Sequence, residues 1–323
     1  MILENSSLRF NLRSEEEIIA SWKNSGGHPK LSVACITYNH ASYIEDAICS
    51  FLIQKTDFPI EIVIQDDASN DGTTDILRSY YKRYPRIIRL VIHDENQYSK
   101  GRRPFPLLYP ALRGEYVAFC EGDDYWVDPL KLQKQVKYLD ENPDLVASGH
   151  DARVVDVSGK ILKESKLPDI YKRDFSANEL LLGRVWILTV GLVFRRVISD
   201  DEALAERSVV KNGDNFLLSL LGQYGGSKYH NDIEPAVYRI HEGGVWSCLA
   251  EKERAQAQIT TWLMIHTYYQ RVGNLHASDA WWSKFESRVI YALNTKGLIK
   301  ELALRLFLVR EFKSSLRRIK KSW

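Results

Sequence analysis

The sequence predicts an α/β protein with a mainly parallel central sheet flanked by helices and a helical extension at the C-terminal end. Three observations carry that expectation. From Leu31 to Phe119, apolar runs of strand length alternate with segments whose apolar residues recur at helical spacing. Three of the strands end in polar clusters, "TYNH", "QDDASNDG" and "CEGDDYW". After Cys248 the pattern changes to long helical segments that finish in a basic tail.

Taken in order, "SEEEIIASWKN" reads as a short helix opened by Ser14 with Glu17 three residues on, the capping-box arrangement, and closed near Gly26-Gly27. "LSVACITYN" is a strand, and "ASYIEDAICSFLIQ" a helix with Tyr43, Ala47, Ile48, Phe51 and Leu52 on one side. "IEIVIQDD" is a second strand, "DGTTDILRSYYKRYP" a helix ended by Pro85, and "IIRLVIH" a third strand. The loop "DENQYSKGRRPFP" leads to a helix ending at Gly114 and a fourth strand, "EYVAFC". Alternation of this kind implies right-handed crossovers and a parallel sheet. Further on come a helix "DPLKLQKQVKYLDENP", one strand "LVASGHDARVVD", a turn at Ser158-Gly159, the apolar run "WILTVGLVF", the helix "GDNFLLSLLGQYG" and "EPAVYRIHEGGVW". The expected units are an arm over residues 1–30, a main domain over 31–248 with halves 31–126 and 127–248, and the helical extension 249–323.

Composition narrows the class. The chain has 323 residues, 45% of them hydrophobic, enough for a sizeable core. With 44 basic and 42 acidic residues the formal charge is +2, which points to no nucleic-acid partner. Cys35, Cys49, Cys120 and Cys248 are widely spaced with no C-x-x-C pair, so they read as small core residues rather than ligands or disulfides. No apolar run reaches a membrane span's length and no secretory signal is visible, so the expected location is the cytoplasm.

The polar clusters carry the chemistry. Ligand crevices in open α/β sheets lie beyond the carboxyl ends of the strands, and all three clusters would gather there. In "CEGDDYW", Asp128-Pro129 begins a helix and its acid is explained as a cap. Glu121, Asp123 and Asp124 precede the cap and follow a buried strand, where uncompensated carboxylates are costly. A solvated turn, general acid-base chemistry and a site for a hard cation such as Mg²⁺ or Mn²⁺ all remain open for them. "QDDASNDGT" reads as a polar turn or as a place where an Asp accepts a hydrogen bond from a base or ribose.

"CITYNHASYIEDAICSFLIQ", "IEIVIQDDASNDGT", "RGEYVAFCEGDDYWVDPLKL" and "NGDNFLL" together resemble, over residues 31 to 246, the family 2 inverting glycosyltransferases of the GT-A fold, particularly bacterial enzymes of surface polysaccharide assembly. The resemblance implies that Tyr38 packs on a nucleobase with Ile36 and Thr37 lining the pocket, that Asp67 reads uracil, and that Asp66 and Asn70 support its turn. It implies a UDP-sugar donor, with residues 31–126 as the nucleotide-binding half and 127–248 as the acceptor half. In the family's D-x-D element Glu121 replaces the first Asp, Gly122 is the spacer and Asp123 the second acid. Asp123 and Asp124 are the metal candidates for Mn²⁺ or Mg²⁺, joined by His241 in "YRIHEGGVW", where Arg239 could also approach the diphosphate and Gly243-Gly244 could hinge. Asp214 in "NGDNFLL" matches the catalytic base. Lys100 and Arg102, with Arg103, could neutralise phosphate from the loop before the metal strand.

From Lys296 to Trp323 nine basic residues stand against two acidic ones, with Leu298, Leu302, Leu306, Val309 and Leu316 near one helical face. A helix of that kind either lies on an anionic membrane or packs on the core. On the first reading the acceptor is a polyprenyl-diphosphate-linked glycan at the cytoplasmic face of the inner membrane, as in O-antigen, capsule or lipopolysaccharide assembly. The rival readings are a nucleotidyltransferase of similar architecture and a non-catalytic sugar-nucleotide-binding module. The lack of G-x-G-x-x-G after the first strand argues against a dehydrogenase.

Overall fold

The computed structural model describes residues 12–23, 27–244 and 249–294. The basic tail and Cys248 lie outside them. Helix α1 (Glu15–Ala20) opens with the expected reciprocal box: Ser14 Oγ accepts the Glu17 N–H at 3.2 Å, and the Glu17 carboxylate accepts the Ser14 N–H at 2.7 Å. It is shorter than expected and ends well before the glycine pair, because Ser21 caps it by donating its hydroxyl to the Ile18 carbonyl.

Four parallel strands then form half of the main sheet: β1 (Leu31–Thr37), β2 (Ile60–Asp66), β3 (Ile88–Ile92) and β4 (Tyr116–Phe119), in the order β3-β2-β1-β4. The helices between them are α2 (Ile44–Leu52), α3 (Thr73–Arg83) and α4 (Pro104–Leu108). The last of these is broken before Gly114 into a 3₁₀ turn over Tyr109–Ala111, where Pro110 has no N–H to continue an α ladder. In the β1–β2 register Thr37 faces Asp66, so these two strands deliver their terminal loops side by side.

The second half departs from the sequence pattern at one point. After α5 (Lys131–Glu141), "LVASGHDARVVD" is not one strand but two, β5 (Leu145–Gly149) and β6 (Ala152–Val155), in different sheets. Asp151 makes the break: its Oδ1 accepts from the N–H groups of Ala152, Lys166 and Leu167, and its Oδ2 from the Ser165 hydroxyl at 2.5 Å. A buried carboxylate satisfied in this way turns the chain out of the first sheet.

The remaining elements are β7 (Ile161–Lys163), α6 (Ala177–Leu181), β8 (Val193–Arg195), α7 (Leu204–Arg207), α8 (Gly213–Leu221), β9 (Gly226–Tyr229), β10 (Ala236–Arg239), α9 (Glu251–Arg271) and α10 (Leu275–Asn294). β8 inserts antiparallel between β4 and β5, and β9 pairs parallel with β5, giving a seven-stranded sheet of order β3-β2-β1-β4-β8-β5-β9. β10, β6 and β7 form a second, three-stranded sheet.

Strand alternation divides the core between the two faces of the main sheet. Val33 and Cys35 pack on one face with Ile48, Phe51 and Trp126. Ala34, Phe119 and Phe194 pack on the other with Leu217, Tyr269 and Trp281, which brings the C-terminal helices onto that face. Cys35, Cys49 and Cys120 are buried free thiols, as expected of core residues.

Candidate active site

Three loops leave the carboxyl ends of β1, β2 and β4 and are bound to one another through backbone groups. The Gly122 N–H donates to the Ile36 carbonyl at 2.9 Å, and the Asp67 N–H to the Thr37 carbonyl at 3.1 Å. Asn39 N–H donates to Ser69 Oγ, Asn70 N–H to Asn39 Oδ1, His40 N–H to Thr73 Oγ1 and Ala41 N–H to Asp71 Oδ2, each at 2.9 Å. Asn39 and Ala68 take positive φ of 53° and 63°, which lets both loops turn back at the sheet edge. Gly122 is required by space: a Cβ there would lie 2.8 Å from Thr37 Oγ1 and 2.9 Å from Ile44 Cδ1.

Asp66 and Asp67 hold different parts of this edge. Asp66 Oδ1 accepts from the Ser69 N–H and hydroxyl, and its Oδ2 from the Thr74 hydroxyl, so it supports the turn as expected. Asp67 accepts the N–H groups of Gln97 at 2.6 Å and Tyr98 at 3.0 Å, clamping the loop that carries Lys100 and Arg102 against the edge. Within that loop Lys100 pairs with Glu95, and Arg102 donates to the Gln97 side-chain carbonyl. Tyr38 stays 43% exposed at the rim, with its ring available to a ligand.

The acids of "EGDDYW" meet side chains from the second sheet. Tyr125 and Val237 exchange backbone hydrogen bonds of 3.2 and 2.8 Å, which lays β10 and the residues after it over the motif. Arg239 answers the negative charge: its N–H donates to Asp124 Oδ1 at 2.9 Å, Nη1 to the Asp123 carbonyl at 3.0 Å and Nη2 to Asp46 Oδ2 at 2.8 Å. Its guanidinium also faces the Tyr43 and Tyr125 rings. The guanidinium is thereby used in holding the motif together.

Asp123 lies between two imidazoles. His241 Nε2 is 2.9 Å from Asp123 Oδ2, and His40 Nε2 is 3.9 Å from the same oxygen. The Gly243 N–H reaches His241 Nδ1 at 3.2 Å, which assigns the ring proton to Nε2 and makes His241 a donor to Asp123. Asp123 Oδ1 is buried with no hydrogen-bond partner. Ligand atoms of His40, Asp123 and His241 lie within 4.8 Å of one another, and so do those of Glu121, Asp123 and Asp124. Oxygen and imidazole donors sharing one carboxylate, with an unpaired buried oxygen among them, fit a divalent cation of the Mn²⁺ or Mg²⁺ type. A cation taken by His241 would replace the Nε2 proton.

The electrostatics reflect crowded acids. Burial, then the charges of Asp123 and Asp214, push Glu121 up to about 8. Burial, then Asp123 and Glu121, raise Asp124 well above the usual carboxylate range. Burial also acts on Asp123, but the His241 hydrogen bond and the His40 and His241 charges outweigh it and hold Asp123 below that range. Asp214, near the start of α8, is solvent-exposed, and desolvation by the atoms around it raises its pKa. Its effect on Glu121 puts it within electrostatic reach of the cluster.

Residues 32–185 match the glycosyl transferase family 2 model. They are a glycosyl transferase family 2 domain. The chain has the GT-A fold: Staphylococcus aureus TarS 1–349, crystallised with UDP-GlcNAc, superposes with a TM-score of 0.56 over 83% of this chain and 74% of that one at 18% identity. The uncharacterized protein Rv1520 of Mycobacterium tuberculosis is 39% identical over 217 residues, 67% of this chain and 60% of its own length. The chain thus spans about three-fifths of that relative. The putative teichuronic acid biosynthesis glycosyltransferase TuaG of Bacillus subtilis is 38% identical over 123 residues, 38% of this chain and 45% of its own.

Sequence reasoning passed over His40, Asp46 and Lys166. His40 carried a signal, standing three residues beyond the end of a strand that feeds the site. Asp46 sits inside a helix and Lys166 in a loop between sheets, with no local pattern to mark either. Lys166 Nζ lies over the Tyr238 ring, and its charge partly offsets the raised pKa of Glu121 and Asp124.

Proposed function

We propose that this glycosyltransferase is a metal-dependent, inverting enzyme that moves a hexose from a UDP-sugar to a glycan acceptor carried on a lipid diphosphate, in bacterial surface polysaccharide assembly. Residues 31–126 hold the nucleotide, 127–248 the acceptor, and 249–323 form an extension whose basic tail lies against the cytoplasmic face of the membrane. The reading rests on one observation above all: side chains from separate segments, His40, the acids Glu121, Asp123 and Asp124, and His241, gather at the edge where Tyr38 and Asp67 also stand, and the charge of Asp214 reaches Glu121. UDP-GlcNAc bound to the same fold in TarS supports the donor class, and the teichuronic acid role in TuaG's name supports the pathway class.

Each residue then has a task. Tyr38 stacks on the base, with Ile36 and Thr37 lining its pocket. Asp67 fixes the 97–98 loop and has acceptor capacity left for the uracil imide, since each of its oxygens takes one hydrogen bond. Lys100 and Arg102 face the phosphates from that loop. Gly122 lets the motif pass close to Thr37. Asp123 with Asp124, His241 and His40 would hold the cation, while Glu121 supports the set. When bound, the cation supplies electrostatic stabilisation to the departing diphosphate. Asp214 accepts the proton of the attacking acceptor hydroxyl, a role favoured by a pKa raised toward working pH.

Incubation with a panel of UDP-sugars, Mn²⁺ and a lipid-diphosphate-sugar acceptor should release UDP in an acceptor-dependent way. Asp214→Asn should cut that release by about 10²–10⁴-fold while UDP binding by calorimetry stays within twofold. Full activity in the Asn variant would remove Asp214 as the base, and absence of Mn²⁺-dependent UDP binding by the unaltered protein would end the reading.

A further inference from the structure

The carboxyl end of β5 carries polar groups that the acidic cluster does not use. β4 and β5 both pair antiparallel with β8, so they run the same way and end at one edge of the main sheet. Beyond β5 and β9 at that edge, Gly149, His150, Leu167, Tyr171, Trp186 and Ser227 line a narrow cleft. The space inside it is about 10 Å³, room for one hydroxyl-sized group. Lys166 precedes Leu167 of the cleft wall, and its charge acts on Glu121 and Asp124, so this segment reaches from the acidic cluster to the cleft.

Close packing fixes the walls. A Cβ on Gly149 would lie 2.7 Å from Ile187 Cγ2, and one on Gly191 2.5 Å from the His150 carbonyl oxygen, so the 186–191 segment rests directly on the end of β5. Trp126 Nε1 donates to the Val190 carbonyl at 2.7 Å and ties the same segment to the end of the acidic motif. Phe175 and Ser227 exchange backbone hydrogen bonds of 3.2 and 2.8 Å, which holds the chain after Tyr171 against β9. Trp186 is 41% exposed although it lines the cleft, and the Tyr171 ring meets it edge-on with centroids 5.7 Å apart.

Inside, two polar atoms are unanswered. His150 Nδ1 donates to the Asp151 carbonyl at 2.9 Å, which leaves the lone pair on Nε2. Burial, then the Lys131 charge, hold the ring well below the usual histidine range, so it stays neutral. Among the described residues nothing bonds to His150 Nε2 or to Ser227 Oγ, and both side chains are almost wholly buried. A hydroxyl can answer either atom, by giving its proton to Nε2 or by accepting the Ser227 proton. A phosphate or carboxylate oxygen would bring a lone pair against Nε2, and an apolar group would leave both atoms unpaired. The cleft therefore selects a neutral hydroxyl. The rest of the ligand is too large to enter and must lie on the exposed indole, whose face suits a flat array of C–H groups. A sugar ring has both parts.

We propose that this cleft is a subsite for a pyranose ring of the acceptor glycan, with the ring's C–H face on Trp186 and one hydroxyl inserted toward His150 Nε2 and Ser227 Oγ. That the ring belongs to the acceptor rests on the transferase reading; that a sugar binds here does not.

Saturation-transfer NMR titrations on the full chain, with UDP and Mn²⁺ saturating, test it with the methyl glycosides of glucose, galactose, mannose and N-acetylglucosamine. At least one should bind. Trp186→Ala should weaken that glycoside about tenfold, and Trp186→Phe should restore most of the loss. One monodeoxy derivative of the same glycoside should bind the parent about fivefold more weakly, and Ser227→Ala should weaken it no further, because the missing hydroxyl and the missing Oγ remove one bond. Melting curves of the variants are the control for folding. Binding of none of the four glycosides, unchanged affinity in Trp186→Ala, or binding only when UDP is omitted would overturn the proposal. Equal affinity for every deoxy derivative would overturn it too, by leaving the cleft to a water molecule. Glycoside binding by a protein that releases UDP from no UDP-sugar would keep the sugar site and remove the transferase reading, whereas acceptor-dependent UDP release without glycoside binding would do the reverse.

Discussion

Lys131, the first residue of α5, has no solvent exposure. Its ammonium has two partners in reach: Gln135 Oε1 at 2.7 Å, and the face of Trp126 with Nζ 4.2 Å from the ring centroid. Burial lowers its pKa from an ordinary 10.5 to about 7. At about 1.4 kcal/mol per tenfold change, that displacement corresponds to a charge penalty of about 4–5 kcal/mol at or below pH 7. Lys131→Met removes the penalty while keeping the length of the side chain. It also forfeits the cation–π contact, about 2 kcal/mol when desolvated, and the charged hydrogen bond, about 1.5 kcal/mol. The balance is a variant more stable than the parent by about 1 kcal/mol at pH 7. Between about pH 7 and 10.5 the unfolded chain carries a proton on this lysine that the folded chain has released, so the parent's stability rises with pH through that window. The advantage of the Met variant should therefore vanish near pH 8 and reverse to a deficit of about 2–3 kcal/mol by pH 10. Urea unfolding of both proteins from pH 6 to 10 measures this directly. A pH-independent difference, or a variant several kcal/mol less stable at pH 7, would refute a charged, desolvated Lys131.

Other perturbations bear on the site itself. Asp123→Asn should weaken Mn²⁺-dependent UDP binding at least tenfold in calorimetry, since Asp123 is common to both groups of candidate ligands. His40→Gln should lower Mn²⁺ affinity by a smaller factor, and an unchanged affinity would remove His40 from the set. Gly122→Ala drives a methyl against Thr37 and Ile44 and should cost about 1–3 kcal/mol, read as a lower denaturation midpoint together with weaker UDP binding; a midpoint equal to the parent's would show that the loop yields. Glu121 near 8 and a raised Asp124 must release protons when a cation binds, so Mn²⁺ affinity should climb from pH 6 to 8.5 with proton release seen in buffers of different ionisation enthalpy. A flat profile would mean that these acids do not meet the cation.

What the sequence displayed depends on how local the cause is. The Ser14 capping box, the four parallel strands and the turn support by Asp66 are written within a few residues and were legible. The break at Asp151 was not, because it is made by Ser165, Lys166 and Leu167, residues distant in sequence that return to bond one carboxylate. The acidic motif was visible, but its counter-charge was not: Arg239 reaches it from β10 only because Tyr125 and Val237 pair. His241 was legible as a candidate through its motif, whereas the second imidazole, His40, becomes a neighbour of Asp123 only when β1 and β4 pair and bring their terminal loops together.

Two sets of acids in the same sheet show what distinguishes structure from function. Glu61 is almost wholly buried near the start of β2, yet Arg113 Nε at 2.8 Å, Arg89 Nη1 at 3.1 Å and Ser32 Oγ at 2.7 Å satisfy it. Burial alone would raise its pKa, and those bonds outweigh burial and lower it. Glu121 and Asp124 stand near the opposite ends of these strands, and there burial wins. The difference is not a shortage of cations, since Arg239 is at hand, but where its groups are directed: to a carbonyl, to Asp46 and, through its backbone, to one oxygen of Asp124. A fold that needed only stability would place a guanidinium on these carboxylates, as it does at Glu61. Keeping them together costs free energy that a proton or a cation relieves, and so the gap in charge, more than the acids themselves, marks this edge as the candidate cation site.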